Sequence, residues 1–262
     1  NMPHLIGETV VLSPEIELDK TAYVNPKIGS EVEIDKGGQD NDNARKLLDT
    51  IGERYAIAST DGSLENGLEI VSCPADYYNH IHTLNWRGML EQACKLGYKS
   101  HDTNTCGLHM HVDRDYFMVK DFTDSQVQEK FAVTFANNVD WLKPFSRRKK
   151  WDYCQIGENM AVKETAYDVI RNGMKSKNSK PTGHYCAVNY ANDHTIEFRL
   201  FKGTLNYNTL VATMQFVTMF ARLIRYRSVA GCANINLNTF KKLAKLCKFN
   251  EFLIYLGERK IA

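Results

Sequence analysis

Residues Cys106–Asp113 read CGLHMHVD, and from Gly107 onward polar and apolar side chains alternate strictly. A period of two is the signature of a strand with one buried face, because side chains at i and i+2 share a face and the residue between them points the other way. His109 and His111 therefore share one face, and Met110 points to the other. Two further stretches repeat the design: IGSEVEID contains Glu31-Val32-Glu33, and TIEFRLF contains Glu197-Phe198-Arg199. A fourth, NGLEIVSCP, sends Leu68 and Ile70 toward a core and Glu69 toward the polar face, with Asp61 and Ser63 on the turn before it. In HYCAVNY the same alternation adds Asn189.

Strand-like runs fall near 8–13, 28–34, 55–60, 67–72, 98–99, 107–113, 185–190 and 195–201. Helical patterns fall at about 42–53, 76–97, 122–145, 205–228 and 238–256. Asp121 and Asp124 are candidate caps for the third helix, and Gly97 suits the end of the second. The apolar run LVATMQFVTMFARLI in the fourth marks it as well buried. Without a regular βαβ alternation, the mixture points to an α+β fold with a largely antiparallel sheet. DKGGQDNDN and RNGMKSKNSKPTG read as polar loops rather than linkers, so the expectation is one domain over residues 1–262.

Composition is that of an ordinary globular chain: 262 residues, 43% apolar, 24% charged, formal net charge +2. That balance argues against nucleic acid as the partner. No apolar run reaches the roughly 18 residues of a membrane span, and no signal peptide is recognised. Seven cysteines without a C-x-x-C pair argue against a disulfide framework and for a reducing, cytoplasmic compartment.

Four glutamates gathered on one face repel one another, and burying them unpaired is costly. Arg199 supplies one positive charge, and two divalent ions would supply four. Oxygen-rich ligand sets with one imidazole suit Mg²⁺ or Mn²⁺, and metal-held phosphates with an arginine are the equipment of phosphoryl transfer. Each dyad alone has a bland reading: Glu-x-Glu as a solvated face, His-x-His as core or surface histidines, Glu-x-Arg as an exposed ion pair. Cys106, His109 and His111 could form a zinc trio only if Gly107 bends the chain, because Cys106 and His109 differ by three. Arg147 and Arg148, in the run RRKK, are either a solvated cluster or phosphate contacts. Neither G-x-x-x-x-G-K-[ST] nor G-x-G-x-x-G occurs, which disfavours those nucleotide folds.

The order Glu-x-Glu (31–33), Asp-Gly-Ser (61–63), Glu-Ile-Val-Ser-x-Pro (69–74), Cys-Gly-Leu-His-x-His-Val (106–112), Ala-Val-Asn (187–189) and Glu-Phe-Arg (197–199) resembles the amidoligase family. That family belongs with the glutamine synthetase and glutamate–cysteine ligase superfamily and includes many phage- and prophage-encoded members. The resemblance covers about residues 26–225. It implies a glutamine synthetase-like core: a curved, mainly antiparallel sheet with helices on one face, and ATP and Mg²⁺ or Mn²⁺ on the open face. It assigns Glu33 and Glu69 to one ion, and Glu31, His109 and Glu197 to a second. It places His111 near nucleotide or substrate and makes Arg199 a phosphate contact. The implied activity is ATP-dependent ligation of a small-molecule or peptide carboxylate to an amine, with Asp61 a candidate base. A recognisable N-terminal companion domain and the ammonium-site loop of glutamine synthetase are lacking. The alternatives are a two-metal phosphodiesterase or other hydrolase, and a non-catalytic phage-type binding protein that kept the fold.

Overall fold

The computed structural model describes residues 25–119, 121–149, 154, 167–168 and 186–262. The strand expected near 8–13 and the polar loop at 171–183 lie outside the described residues. Two compact units are present: residues up to Met110 together with Lys202–Val211, and His111–Phe201 together with Ala212–Ala262.

The first unit contains β1 (Ile28–Ile34), β2 (Ala56–Ser59), β3 (Leu68–Ser72) and β4 (Gly107–Asp113) as far as Met110. Their order is β2-β3-β1-β4. β1 and β2 each run antiparallel to β3, in a register that sets Glu33 opposite Glu69, Val32 opposite Ile70 and Ser59 opposite Glu69. Val32, Ile34, Leu68, Ile70, Leu108 and Met110 are all fully buried, as the alternation requires. α1 (Asn41–Ile51) buries Ala44, Leu47, Leu48 and Ile51, and α3 (Trp86–Lys95) buries Trp86, Met89, Leu90 and Ala93. Both sets follow the i, i+3, i+4, i+7 stripe of an amphipathic helix, and the two helices pack on each other. Gly67 is required before β3: a Cβ there would lie 2.1 Å from the Ile34 carbonyl oxygen.

The helix expected over 76–97 is two helices, α2 (Tyr77–His82) and α3. Asn85 breaks it, because its side chain accepts the Gly88 amide and opens a new N-terminus. Gly97 ends α3 at φ 86°. Its amide bonds to the Cys94 carbonyl, and the Tyr98 amide bonds to the Ala93 carbonyl, the paired bonds of a Schellman motif. Residues 98–99 form no strand, only an isolated bridge between Asp35 and Lys99.

The second unit holds β4 from His111 onward, β5 (Val188–Asn189) and β6 (Thr195–Lys202) as far as Phe201, in the order β4-β6-β5. β5 and β6 are antiparallel, with Asn189 opposite Glu197. Its helices include α4 (Asp124–Ala136), α5 (Val139–Ser146), α6 (Tyr207–Arg225) from Ala212, α7 (Val229–Cys232), α8 (Leu237–Cys247) and α9 (Asn250–Glu258). Thr123, rather than Asp121 or Asp124, caps α4. Its hydroxyl accepts the Gln126 amide while the Gln126 side chain reaches back to the Thr123 amide. Asp124 is instead engaged by Arg114 and by the Tyr190 hydroxyl. The run expected over 238–256 breaks at Lys248, which takes a left-handed φ of 56°.

An aromatic cluster forms the core of this unit. The Phe220 ring centroid lies 5.2, 5.1 and 5.3 Å from those of Phe131, Phe135 and Phe198. Phe198 thus faces the helices, leaving Glu197 and Arg199 for the other side. The α+β class with an antiparallel sheet expected from the sequence is the one observed. No helix among the described residues is long and apolar enough to cross a membrane.

Two outcomes follow from these cores. Phe220→Ala removes a ring packed against those of Phe131, Phe135, Phe198, Phe216 and Phe240, and we expect it to cost about 3–5 kcal/mol in denaturant unfolding. His80 is fully buried, with Nε2 2.7 Å from the Ile28 carbonyl oxygen and Nδ1 accepting from Trp86 at 3.2 Å. Burial pushes its pKa down to about 4, from 6.5. The unfolded chain therefore takes up a proton in that window before the folded one does. We expect Tm to fall as pH drops from about 6.5 to about 4, with a shallower slope in His80→Gln.

Candidate active site

In the first unit the polar strand face carries Glu31, Glu33, Glu69 and His109. Glu33 is 4% exposed, and its Oε2 accepts the Gly107 amide. The His109 Nδ1 lies 3.2 Å from Glu31 Oε2 and 3.8 Å from Glu33 Oε1. Glu69 Oε2 accepts the Ser59 hydroxyl at 3.1 Å. One ligand atom from each of Glu33, Glu69 and His109 lies within 4.8 Å of the others, a spacing that admits one metal ion. Burial, then the charges of Glu31 and Glu33, push the Glu69 pKa up to about 8, and the Ser59 hydrogen bond offsets this only in part. Asp61 sits on the turn between β2 and β3, where its Oδ1 accepts the Ser63 amide at 2.7 Å, and its charge also reaches Glu69.

Asp35 escaped the sequence reading, although it continues the alternation of Glu31 and Glu33 by two. It is fully buried. Burial works against its charge, but the Thr105 hydroxyl at 2.6 Å and the amides of Asn66, Glu65 and Lys36 prevail and hold its pKa below the ordinary carboxylate value. Cys106 is buried and its thiol is pushed up to about 11, chiefly by burial, which does not suit a thiolate ligand.

In the second unit Glu197 is held at both oxygens: Oε1 accepts Arg199 Nη1, and Oε2 accepts Asn189 Nδ2 at 2.8 Å. His111 Nδ1 is 3.0 Å from the Thr195 hydroxyl, and its Nε2 is 4.0 Å from Glu197 Oε1. Arg199 Nε is buried without a hydrogen-bond partner among the described residues. Arg147 and Arg148 are placed elsewhere in this unit, beyond the end of α5. Arg148 donates to the carbonyls of Arg199, Leu200 and Phe201 at 3.2, 3.3 and 3.1 Å.

A family model described as "Putative amidoligase enzyme" matches residues 16–221. The chain belongs to that family. Among solved structures, it is similar to a bifunctional glutathione synthetase from Pasteurella multocida, with 12% identity, a TM-score of 0.42, and coverage of 86% of this chain and 41% of that one. It is also similar to the complex between Prokaryotic Ubiquitin-like Protein Pup and its ligase PafA, with 10% identity, a TM-score of 0.39, and coverage of 80% of this chain and 50% of that one. The chain thus spans half or less of the length of those two structures. No curated protein matches it.

The residues present in this amidoligase suit a hard divalent ion. Two carboxylates and an imidazole supply the donors, and the depressed acidity of Glu69 shows that positive charge is wanted between them. In the second unit, taken by itself, Arg199 Nε suits a phosphate oxygen, because it has no acceptor among the described residues. In metal-free protein the unfolded chain releases the Glu69 proton near 4.5, whereas the folded chain holds it to about 8. Stability from this residue is therefore lost as pH rises through that window. We expect Glu69→Gln to flatten that loss and to raise Tm by several degrees above pH 8 without metal, while Mn²⁺ titration shows weaker binding than in the parent chain.

Proposed function

We propose that this amidoligase is an ATP-dependent carboxylate–amine ligase that makes an amide through an acyl phosphate. The observation that carries the proposal is the cation-deficient group of Glu33, Glu69 and His109, joined to the family membership. A small-molecule or peptide carboxylate is the acceptor of the phosphoryl group. Its oxygen forms a bond to the γ-phosphorus as the bond to the β-phosphate oxygen breaks, releasing ADP. The amine then attacks the acyl carbon, and the carbon–oxygen bond to phosphate breaks. Carboxylate is a poor electrophile, and phosphorylation supplies the leaving group.

Glu33 and Glu69 hold Mg²⁺ or Mn²⁺, with His109 within reach of it. When bound, the ion neutralises phosphate oxygens and spreads the charge that develops during transfer. Arg199 turns part of its guanidinium to the transferred phosphoryl group, satisfying Nε, and His111 contacts nucleotide or substrate. Asp61 takes the proton of the attacking amine through Oδ2, since Oδ1 is already occupied by the Ser63 amide.

Purified protein with Mg²⁺, ATP and panels of amino acids, amines and peptides should release ADP in step with an amide product. Glu33→Gln should lower turnover by at least about a hundredfold with the circular dichroism spectrum unchanged, because a glutamine oxygen can still accept the Gly107 amide. Phosphate release without any amide would favour a two-metal hydrolase. Failure to bind Mg²⁺ and a non-hydrolysable ATP analogue would mean a binding protein instead.

A further inference from the structure

The second unit has a charged cleft that the chemistry above does not use. Lys143, Pro144 and Arg147 from α5 and its end, Arg148, and Glu258 and Arg259 at the end of α9 line a space of about 390 Å³. Among the described residues four cations meet one carboxylate there, a basic lining in a chain whose overall charge is only +2. None of its lining side chains belongs to the dyads of the polar strand face.

Helix C-termini attract cations, and two helices end here, which explains part of the cluster. It does not explain Arg147. This residue takes a left-handed φ of 65°, a conformation costly for any residue with a Cβ, and it brings a second arginine directly behind it to the same cleft. Burial first, and then Arg259 and Arg148 as like charges, push the Arg147 pKa down to about 10 against the pull of Tyr255. Arg148 spends Nε and Nη2 on the β6 carbonyls, a fixed anchorage that leaves the Nη1 group outside those bonds. A guanidinium pinned in this way is pre-organised, so little further rotamer freedom is lost when it meets a ligand. The volume exceeds what a single phosphate needs and is of the order of small-ligand pockets, about 300–1,000 Å³.

We propose that this cleft is a second anion site, taking the phosphate group of a small phosphorylated ligand or free inorganic phosphate, with Lys143, Arg147, Arg148 and Arg259 as its contacts. It is independent of the metal-competent face, and it needs no divalent ion because the protein supplies the positive charge. Charge-assisted donation from the Nη1 group of Arg148, beside the other three cations, suits phosphate oxygens.

The test is calorimetric titration of the full chain, free of divalent ions, with inorganic phosphate, pyrophosphate and ATP in separate arms. We expect one saturable site. Preference for phosphate identifies the free ion, and preference for pyrophosphate or ATP identifies a phosphorylated ligand. Arg259 is exposed and Lys143 half-buried; the double variant Lys143→Gln/Arg259→Gln, with retention of the fold checked by circular dichroism, should weaken binding by about tenfold or more. Glu33→Gln, on the strand face, should leave it unchanged. Heat no greater than that of chloride at matched ionic strength, wild-type affinity in the double variant, or loss of binding in Glu33→Gln would each overturn the proposal.

Discussion

The opposition of Glu33 and Glu69 across the antiparallel β1–β3 pair is the constraint around which the first unit is arranged. Like charges directly opposite on neighbouring strands destabilise a sheet, and these two are largely withdrawn from water as well. The fold tolerates the arrangement because the other face of the same strands is a close-packed apolar layer, with Val32 and Ile70 opposite each other on it. The alternation that buries those side chains leaves the carboxylates no other direction. The resulting deficit of positive charge is what a divalent ion corrects, so the packing of the core and the affinity of the site have one origin.

Asp35 shows what the same strand does when donors are plentiful. It is more deeply buried than Glu33, yet a hydroxyl and three amides keep it ionised. Its bonds draw together the end of β1, the loop before β3 and Thr105 just ahead of β4. Two residues earlier, among the described residues, one amide donates to Glu33, and across the pair one hydroxyl donates to Glu69. Hydrogen-bond supply therefore falls along the strand face toward the place where an ion can substitute for it.

The second unit balances its buried carboxylate from within. Glu197 has an arginine two residues along its own strand and an asparagine directly across the β5–β6 pair. That pairing neutralises the carboxylate but leaves Arg199 Nε without an acceptor among the described residues, so the arginine retains a capacity to bind anions. Behind it the aromatic cluster around Phe220 fixes Phe198, and through Phe198 the direction of its two polar neighbours.

Strand positions 28–34 and 107–113, the polar face with its metal-type donors, and the amidoligase family were legible in the chain itself, because a period of two and a motif order are local properties. Helix breaks at Asn85 and Lys248 were not, since continuous apolar periodicity conceals a side chain that caps its own backbone or a residue that turns left-handed. Asp35 was in plain sight by alternation, but its role depends on donors 30 to 70 residues away. The arginines of the RRKK run read first as a solvated cluster, with phosphate contact as the alternative. Only the tertiary structure set one against strand carbonyls and gathered both with Lys143 and Arg259 in a cleft. Sequence determined which faces exist, because side-chain direction follows from local backbone geometry. Tertiary structure decided which charges meet across them, because strand register and helix ends bring together residues that chain order keeps apart.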